Sequence, residues 1–353
     1  TALYKGWNWM STYLQEAIPV EMFTENVSRI VGQFEELIND PVYGVVGKID
    51  SLRPGVGYKI ETPMTFVTTF KGHLHDIEEN IISIKQGWNW ISYPYFENRP
   101  REIITNAEEG DYIIAQDGFA EYSNGTWEGT FETFIPGNGY LYKSISEKDL
   151  KFDLTESTSW TKSIKRVTKQ NEEEPYINIR QYPNTMNIIG RLYLDNQDVT
   201  DSHLRIYAIA GNEIRGISQY IEDKYYLTVY GDEPVDISLI VEDKNTGETF
   251  VANEKLPFRN DVMGCRKSPY KITMGQTTNI ESFDHEKRNV KIYSLSGVLL
   301  FEDATPETIK KLSAILEAKQ KEFGSVIYLI SDEPYRELAY DGVEVPYLTK
   351  YYN

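Results

Sequence analysis

Five tryptophans stand where they could bind a ligand. Trp7 and Trp9 lie in a first Gly-Trp-Asn-Trp motif, Trp88 and Trp90 lie in a second one, and Trp127 follows it. An exposed indole beside acidic residues can stack on a sugar ring, so these residues are candidates for a carbohydrate-binding platform. Indoles at matched positions are also typical anchors of a packed core, and burial preferences favour that interpretation. Both interpretations stay open at the level of the sequence.

Groups for nucleophilic or metal chemistry are few in this chain. Its one cysteine, Cys265, excludes an intrachain disulfide and a cysteine-based zinc or iron–sulfur site. Arg266 and Lys267 could activate that thiol, but no histidine lies close to it in the sequence, so a buried or incidental thiol is expected. The 4 histidines leave little material for a metal centre. We therefore predict neither a catalytic site nor a metal site.

The charge balance excludes some partners. Among 353 residues, 54 are acidic and 36 are basic, which gives a formal net charge of -18. Such a chain repels nucleic-acid backbones and anionic lipid surfaces, so we expect no nucleic-acid partner. No apolar run reaches about eighteen residues, so we predict no transmembrane segment. The aromatic share of 13%, with 26 tyrosines, favours a β-rich protein.

An internal repeat covers the first 150 residues. Gly-Trp-Asn-Trp-Met-Ser at 6–11 recurs as Gly-Trp-Asn-Trp-Ile-Ser at 87–92. Pro-Gly-Val-Gly-Tyr at 54–58 recurs as Pro-Gly-Asn-Gly-Tyr at 136–140, in the same order and at nearly the same separation. Two blocks repeated together indicate a duplication. We assign the two copies to residues 1–76 and 77–150.

Each copy is predicted to be rich in β structure. Trp-Asn-Trp alternates large and small side chains, as a strand with one buried face does. Pro-Gly-x-Gly predicts a turn, because proline presets φ and glycine accepts positive φ. Asn124-Gly125 is a strong hairpin signal. In the first copy, apolar residues at helical spacing predict a helix between the two blocks, at Ile30, Phe34, Leu37 and Ile38.

The remainder divides into four segments. Residues 151–175 are polar and charged, which is typical of a linker. Residues 176–280 contain short alternating runs separated by turn residues, which predicts a β-sandwich. After a short segment at 281–304, residues 305–353 combine an amphipathic helix pattern with the apolar run 326–330. The predicted fold class is mainly β: two duplicated modules, α+β or β-rich, then a β-sandwich and a short C-terminal helix–strand α/β fragment.

Residues 1–310 resemble parts of large secreted or surface proteins of Bacteroidetes. The Gly-Trp-Asn-Trp-x-Ser repeats are similar to modules found there, and residues 182–231 are similar to the β-sandwich that follows them. The run 290–300, Val-Lys-Ile-Tyr-Ser-Leu-Ser-Gly-Val-Leu-Leu, resembles the start of the C-terminal sorting domain used by type IX secretion. The resemblance implies export and a secreted or cell-surface location. In that family the sorting domain continues to a closing strand, which is absent here.

The last fifty residues or so resemble a different family. Ile-Ser-Asp-Glu-Pro-Tyr-Arg-Glu at 330–337, with Tyr-Asp-Gly at 340–342, is similar to fold-type-I pyridoxal-phosphate-dependent aminotransferases. The resemblance implies that Asp332 would pair with the pyridine nitrogen of pyridoxal phosphate (PLP) and that Tyr335 would hydrogen-bond its phenolic oxygen. The family's Schiff-base lysine and glycine-rich phosphate site have no counterpart here. We therefore expect no bound cofactor and no transaminase activity.

Three functional hypotheses follow. The first is a non-catalytic module of a secreted or cell-surface protein, serving adhesion, spacing or the binding of a glycan or protein ligand. The second is a carbohydrate-binding accessory protein that uses the repeat tryptophans. The third is an inactive remnant of a PLP-dependent aminotransferase.

Overall fold

The computed structural model describes residues 1–74, 81–153, 175, 177–232 and 234–277, together with 292–293, 299–301 and 313–314. The chain forms two compact units, Thr1–Glu281 and Ser282–Asn353. The described part of the first unit is built mainly from strands, which confirms the prediction of a mainly β protein.

The first module comprises residues 1–74. Its strands are β1 Ala2–Leu3, β2 Gly6–Met10, β3 Ile18–Pro19, β4 Arg29–Val31, β5 Glu36–Asp40, β6 Gly44–Gly47, β7 Ser51–Leu52, β8 Tyr58–Thr62 and β9 Phe66–Val67. They form an antiparallel sheet of order β2-β8-β4-β5-β6, with the pairs β1-β9 and β3-β7 beside it. Two 3₁₀ turns, Val20–Met22 and Thr24–Asn26, lead from β3 to β4. Ile30, Tyr58 and Ile60 lie in its core.

The second module, residues 81–153, has the same arrangement. Its strands are β10 Ile82–Ile84, β11 Gly87–Ser92, β12 Arg99–Pro100, β13 Tyr112–Ala115, β14 Gly118–Ser123, β15 Thr126–Gly129, β16 Thr133–Phe134, β17 Gly139–Ser144 and β18 Lys148–Leu150. The sheet order is β11-β17-β13-β14-β15, and the flanking pairs are β10-β18 and β12-β16. A 3₁₀ turn, Arg101–Ile103, follows β12. Each strand of one module therefore has a counterpart in the other.

The turn residues in the sequence predicted the turns correctly, but the spacing of apolar residues predicted a helix that the structure does not contain at that position. Asn124 and Gly125 both have positive φ, as a tight hairpin between β14 and β15 requires. The predicted helix at Ile30, Phe34, Leu37 and Ile38 is wrong, because these residues lie in the β4-β5 hairpin. Ile30 is paired directly with Leu37 across the turn. Apolar residues that face each other across a short hairpin have nearly the spacing of a helix face.

Residues 177–277 form a β-sandwich-like domain. Its strands are β19 Asn184–Leu194, β20 Gln197–Asp198, β21 Leu204–Ala210, β22 Glu213–Ile221, β23 Lys224–Gly231, β24 Asp236–Asp243, β25 Thr249–Pro257, β26 Val262–Met263 and β27 Tyr270–Thr277. β22 pairs with β21 through its first half and with β23 through its second half. β27 likewise pairs with β25 and, in parallel, with β19. An apolar core that includes Ile188, Leu227 and Leu239 fills the interior. A 3₁₀ turn, Ile179–Gln181, precedes β19.

The second unit is described only in part. β28 Ile292–Tyr293 and β29 Leu299–Phe301 form an antiparallel pair, and Ser313 and Ala314 are helical. Asp332 and Tyr335 lie outside the described residues, as do most of the predicted linker and most of the aminotransferase-like segment. Among the helices that the structure does describe, none is long and apolar enough to span a membrane.

Candidate functional site

The five candidate tryptophans divide into two groups by burial. Trp7, Trp9 and Trp127 are 7%, 5% and 6% exposed, whereas Trp88 and Trp90 are half-buried. Trp127 belongs to the core of the second module, while Trp9, Trp88 and Trp90 line the contact between the modules and the β-sandwich-like domain. Buried indoles have no free face for a sugar. The core interpretation therefore describes Trp7, Trp9 and Trp127 in this structure.

The asparagine of each Gly-Trp-Asn-Trp motif closes the loop before its strand. Asn8 accepts a hydrogen bond from Tyr4 N at 3.0 Å and donates to Tyr4 O at 2.7 Å. Asn89 makes the same pair of bonds with Lys85, both at 2.8 Å. The glycine that opens each motif has a φ near the left-handed region, +94° for Gly6 and +95° for Gly87. The motif thus has a local structural role in both modules.

Two glutamines join the modules reciprocally. Gln116, in the β13-β14 turn, donates to Trp7 O at 2.8 Å and accepts from Trp9 N at 3.2 Å. Gln33, in the β4-β5 turn of the first module, makes the equivalent bonds to Trp88 O at 2.7 Å and Trp90 N at 3.0 Å. Each module therefore binds the main chain of the other module's tryptophan strand, in an approximately twofold arrangement.

Sequence reasoning missed these glutamines. They occupy matched positions of the repeat, in Val31-Gly32-Gln33 and Ile114-Ala115-Gln116. A search for identical polar residues at matched turn positions would have found them. We call the contact between the two modules the intermodule interface.

The Pro-Gly-x-Gly turns complete the intermodule interface. Ser11 N donates to Gly137 O at 2.8 Å, and Ser92 N donates to Gly55 O at 3.2 Å. At Gly57 an added Cβ would lie 2.8 Å from Ile91 O, so the opposite module leaves no room for a side chain. Gly139 is in the same position against Met10, at 2.7 Å. The second glycine of the turn is therefore required by a contact between modules, in addition to any requirement of the turn itself.

Lys59 lies in an aromatic cage at this interface. Its Nζ is 4.3 Å from the ring centre of Trp9 and 4.8 Å from that of Trp90. It also donates to Asn184 Oδ1 at 2.8 Å, and the residue is only 2% exposed. Burial lowers the pKa of Lys59 to about 7. The two indole faces and the Asn184 oxygen act in the opposite sense, because they favour the ammonium.

A polar network fixes the second module to the β-sandwich-like domain. Arg266 donates to Glu128 Oε2 at 2.9 Å, to Ser123 O at 2.6 Å and, from its main-chain N–H, to Glu121 Oε2 at 2.6 Å. Tyr226 also hydrogen-bonds Glu128. Burial raises the pKa of Glu121. These carboxylates are enclosed and hydrogen-bonded, so they act as contacts between domains.

The remaining groups considered for chemistry are the cysteine and the possible metal ligands. Cys265 is half-buried, and its sulfur accepts from Ser268 N at 3.2 Å. In the described part of the chain, no three His, Cys, Asp or Glu side chains converge as metal ligands would. The described contacts join the two modules to each other and to the β-sandwich-like domain. No protein family model, curated protein or solved structure matches this chain.

Proposed function

We propose that this chain is a non-catalytic structural and binding module of a secreted or cell-surface protein. The observation that carries the proposal is the reciprocal intermodule interface. Tryptophan, lysine and glutamine side chains that could have served a ligand instead hold two modules together and join them to the β-sandwich-like domain. A unit built in this way suits a rigid spacer that presents binding surfaces at a distance.

A cut between the modules and the β-sandwich-like domain tests the rigid-spacer role. A specific protease site is introduced in the predicted linker, within residues 154–174, and the nicked protein is passed through a size-exclusion column. We expect the two fragments to elute together, because the Arg266 and Lys59 contacts span the cut. The Arg266→Met variant, nicked in the same way, should release its fragments more readily. Separation of the wild-type fragments under native conditions would contradict the spacer role.

The location is tested on cells of the source organism. Protease treatment of intact cells should degrade the protein, or the protein should be recovered from the medium, while a cytoplasmic marker stays intact. Full protection of the chain until the cells are lysed would contradict a secreted or surface location.

The half-buried Trp90 faces the buried Lys59, so the carbohydrate-binding alternative now depends on the half-buried Trp88. Its ring is 5.2 Å from Lys143 Nζ, and Lys143 also pairs with Asp261 at 3.2 Å. A glycan array with wild type, Trp88→Ala and Tyr4→Ala tests it, since Tyr4 is an exposed aromatic residue outside the tryptophan motifs. Binding that Trp88→Ala abolishes and Tyr4→Ala leaves intact would favour this alternative.

The aminotransferase alternative is tested with the cofactor itself. PLP added to the protein should give no aldimine absorbance band if the segment 305–353 has no cofactor site. A band that Asp332→Ala removes would contradict the non-catalytic proposal.

A further inference from the structure

The edge of the first module carries an exposed apolar hairpin. β5 and β6 (36–40 and 44–47) end the sheet, and every residue of β6 is exposed. Val45 and Val46 are each 53% exposed, although both are large apolar residues. The neighbouring exposed apolar side chains are Phe34, Ile38, Val42 and Tyr43. Ile38 lies opposite Val46 in the β5-β6 pair, so exposed apolar side chains lie side by side at this edge, which is typical of an interaction surface.

The hairpin is ordered by its own contacts. Asp40 Oδ1 accepts from Val42 N at 2.7 Å and from Tyr43 N at 2.9 Å, which fixes the tip. These two main-chain hydrogen bonds lower the pKa of Asp40. A preformed edge strand can pair with another strand without first losing much conformational freedom.

In the second module, the equivalent edge strand is capped by an arginine. β15 corresponds to β6, since Gly129 and Gly47 hold the same position with φ of +147° and +150°. Arg101 donates to Trp127 O and Gly129 O, both at 3.0 Å, and so occupies the outward carbonyl groups of β15. In the first module the position of Arg101, at the start of the 3₁₀ turn, is held by buried Val20. Valine cannot cap a strand edge.

The main-chain groups that β6 presents outward are defined by its pairing with β5. Asn39 N donates to Ser28 O on the β4 side, and Lys48 N donates to Glu36 O across the β5-β6 pair. In an antiparallel pair, successive residues direct their main-chain groups alternately toward and away from the partner strand. Because Lys48 is hydrogen-bonded to Glu36 on β5, the N–H and C=O groups of Val45 and Gly47 point away from β5. Charged side chains, prolines and β-bulges usually protect an edge strand from pairing with another chain. Residues 44–47 contain only glycine and valine.

We propose that β6 pairs antiparallel with β6 of a second copy of this chain, about a twofold axis at Val46. In this register Val45 of each copy lies opposite Gly47 of the partner subunit, so both pairs of outward groups are satisfied. The register centred on Val45 would need the N–H of Tyr43, which already donates to Asp40. The tip from 41 to 47 has no ionisable group except the tyrosine hydroxyl, so two copies, each with a net charge of -18, bring no carboxylate of this segment into the contact.

The partner is a second copy because the edge of β6 is complementary to itself: Val45 of one copy and Gly47 of the other present the groups that each needs. A twofold contact buries the same apolar patch on both subunits and leaves no complementary patch exposed. It joins two five-stranded sheets across the axis. Dimerisation of this kind depends neither on the location of the protein nor on a bound ligand.

Sedimentation velocity of the full chain tests the proposal. From about 1 to about 500 µM we expect a concentration-dependent shift from monomer to dimer. Val46→Lys and Val46→Glu each place like charges at the axis, so each should raise the dimer dissociation constant at least about tenfold. An equimolar mixture of the two variants should recover the dimer, because lysine then faces glutamate. Val67→Lys, at an exposed valine on β9, is the matched control and should dimerise as wild type does.

Thermal unfolding of each variant shows that it is folded, and hydrogen exchange gives a second measurement. The amides of Val45 and Gly47 should gain protection as the concentration rises, and those in Val67→Lys should do the same. A wild type that stays monomeric over the whole range overturns the proposal. So does a Val46→Lys variant that dimerises as wild type does, or a charge-paired mixture that stays monomeric.

Discussion

Replacing Lys59 by methionine should change how the stability of the protein depends on pH. Burial lowers the folded-state pKa of Lys59 to about 7 from its usual 10.5. Between these values the unfolded chain binds a proton that the folded chain lacks, so the free energy of unfolding rises with pH. At a limiting slope of about 1.4 kcal/mol per pH unit, the rise between about pH 7 and about pH 9 is about 2 kcal/mol. The contribution becomes constant only well below pH 7, where both states hold the proton.

Urea unfolding followed by tryptophan fluorescence measures this effect, because Trp9 and Trp90 contact the lysine directly. The wild-type stability should increase across this pH range, whereas Lys59→Met should lack the increase. Lys143→Met is the matched control. The Lys143 side chain is 35% exposed, its ammonium lies near Trp88, and its removal should keep the wild-type pH dependence. If wild type and Lys59→Met differ by a constant amount from about pH 6 to about pH 9.5, the reasoning fails. The indoles and Asn184 would then hold the ammonium fully charged.

Three further substitutions test the contacts between domains, each by urea unfolding. Gln116→Ala leaves the main-chain N–H of Trp9 without its acceptor and should cost about 1 to 3 kcal/mol; a loss below about 0.5 kcal/mol would mean that the reciprocal bonds do not stabilise the interface. Gly57→Ala should cost about 2 kcal/mol or more, since its Cβ meets opposing main chain, whereas Gly32→Ala, with neighbours at ordinary contact distance, should cost less than about 0.5 kcal/mol. Equal losses for the two alanines would exclude the clash as the cause. Arg266→Met leaves Glu128 enclosed without its cation and should cost about 3 to 5 kcal/mol, and adding Glu128→Gln should restore part of the loss. No recovery in the double variant would show that the ion pair is not responsible.

Local patterns predicted the strands and turns well because their causes are local. Alternating side chains specify a strand with one buried face, and Asn124-Gly125 adopts positive φ with little strain. The same local reasoning failed at Ile30 and Leu37, where contact across a hairpin imitates the spacing of a helix. Only the partner strand distinguishes the two cases.

The tryptophan site also has features that the sequence predicted and features that only the packing of the modules decided. Composition and repeats, read from the sequence, predicted a mainly β chain with duplicated modules and indoles at matched positions. Whether those indoles face solvent depended on how the modules pack, since residues far apart in the chain supply the covering atoms: Gln116 for Trp9, and Lys59 for Trp90. The low pKa of Lys59 has the same origin, because desolvation needs neighbours that the local sequence does not name.

The edge strands β6 and β15 show most clearly what the sequence determined and what the tertiary structure decided. Residues 44–47 and 126–129 form corresponding strands of the two modules, β6 and β15. Folding gives one of them an arginine cap from a distant turn and leaves the other with outward main-chain groups beside exposed valines. The turn before residues 126–129 is a property of neighbouring residues, Asn124 and Gly125, so the sequence determined it. Strand protection depends on which side chain arrives from elsewhere, so the tertiary structure decided it.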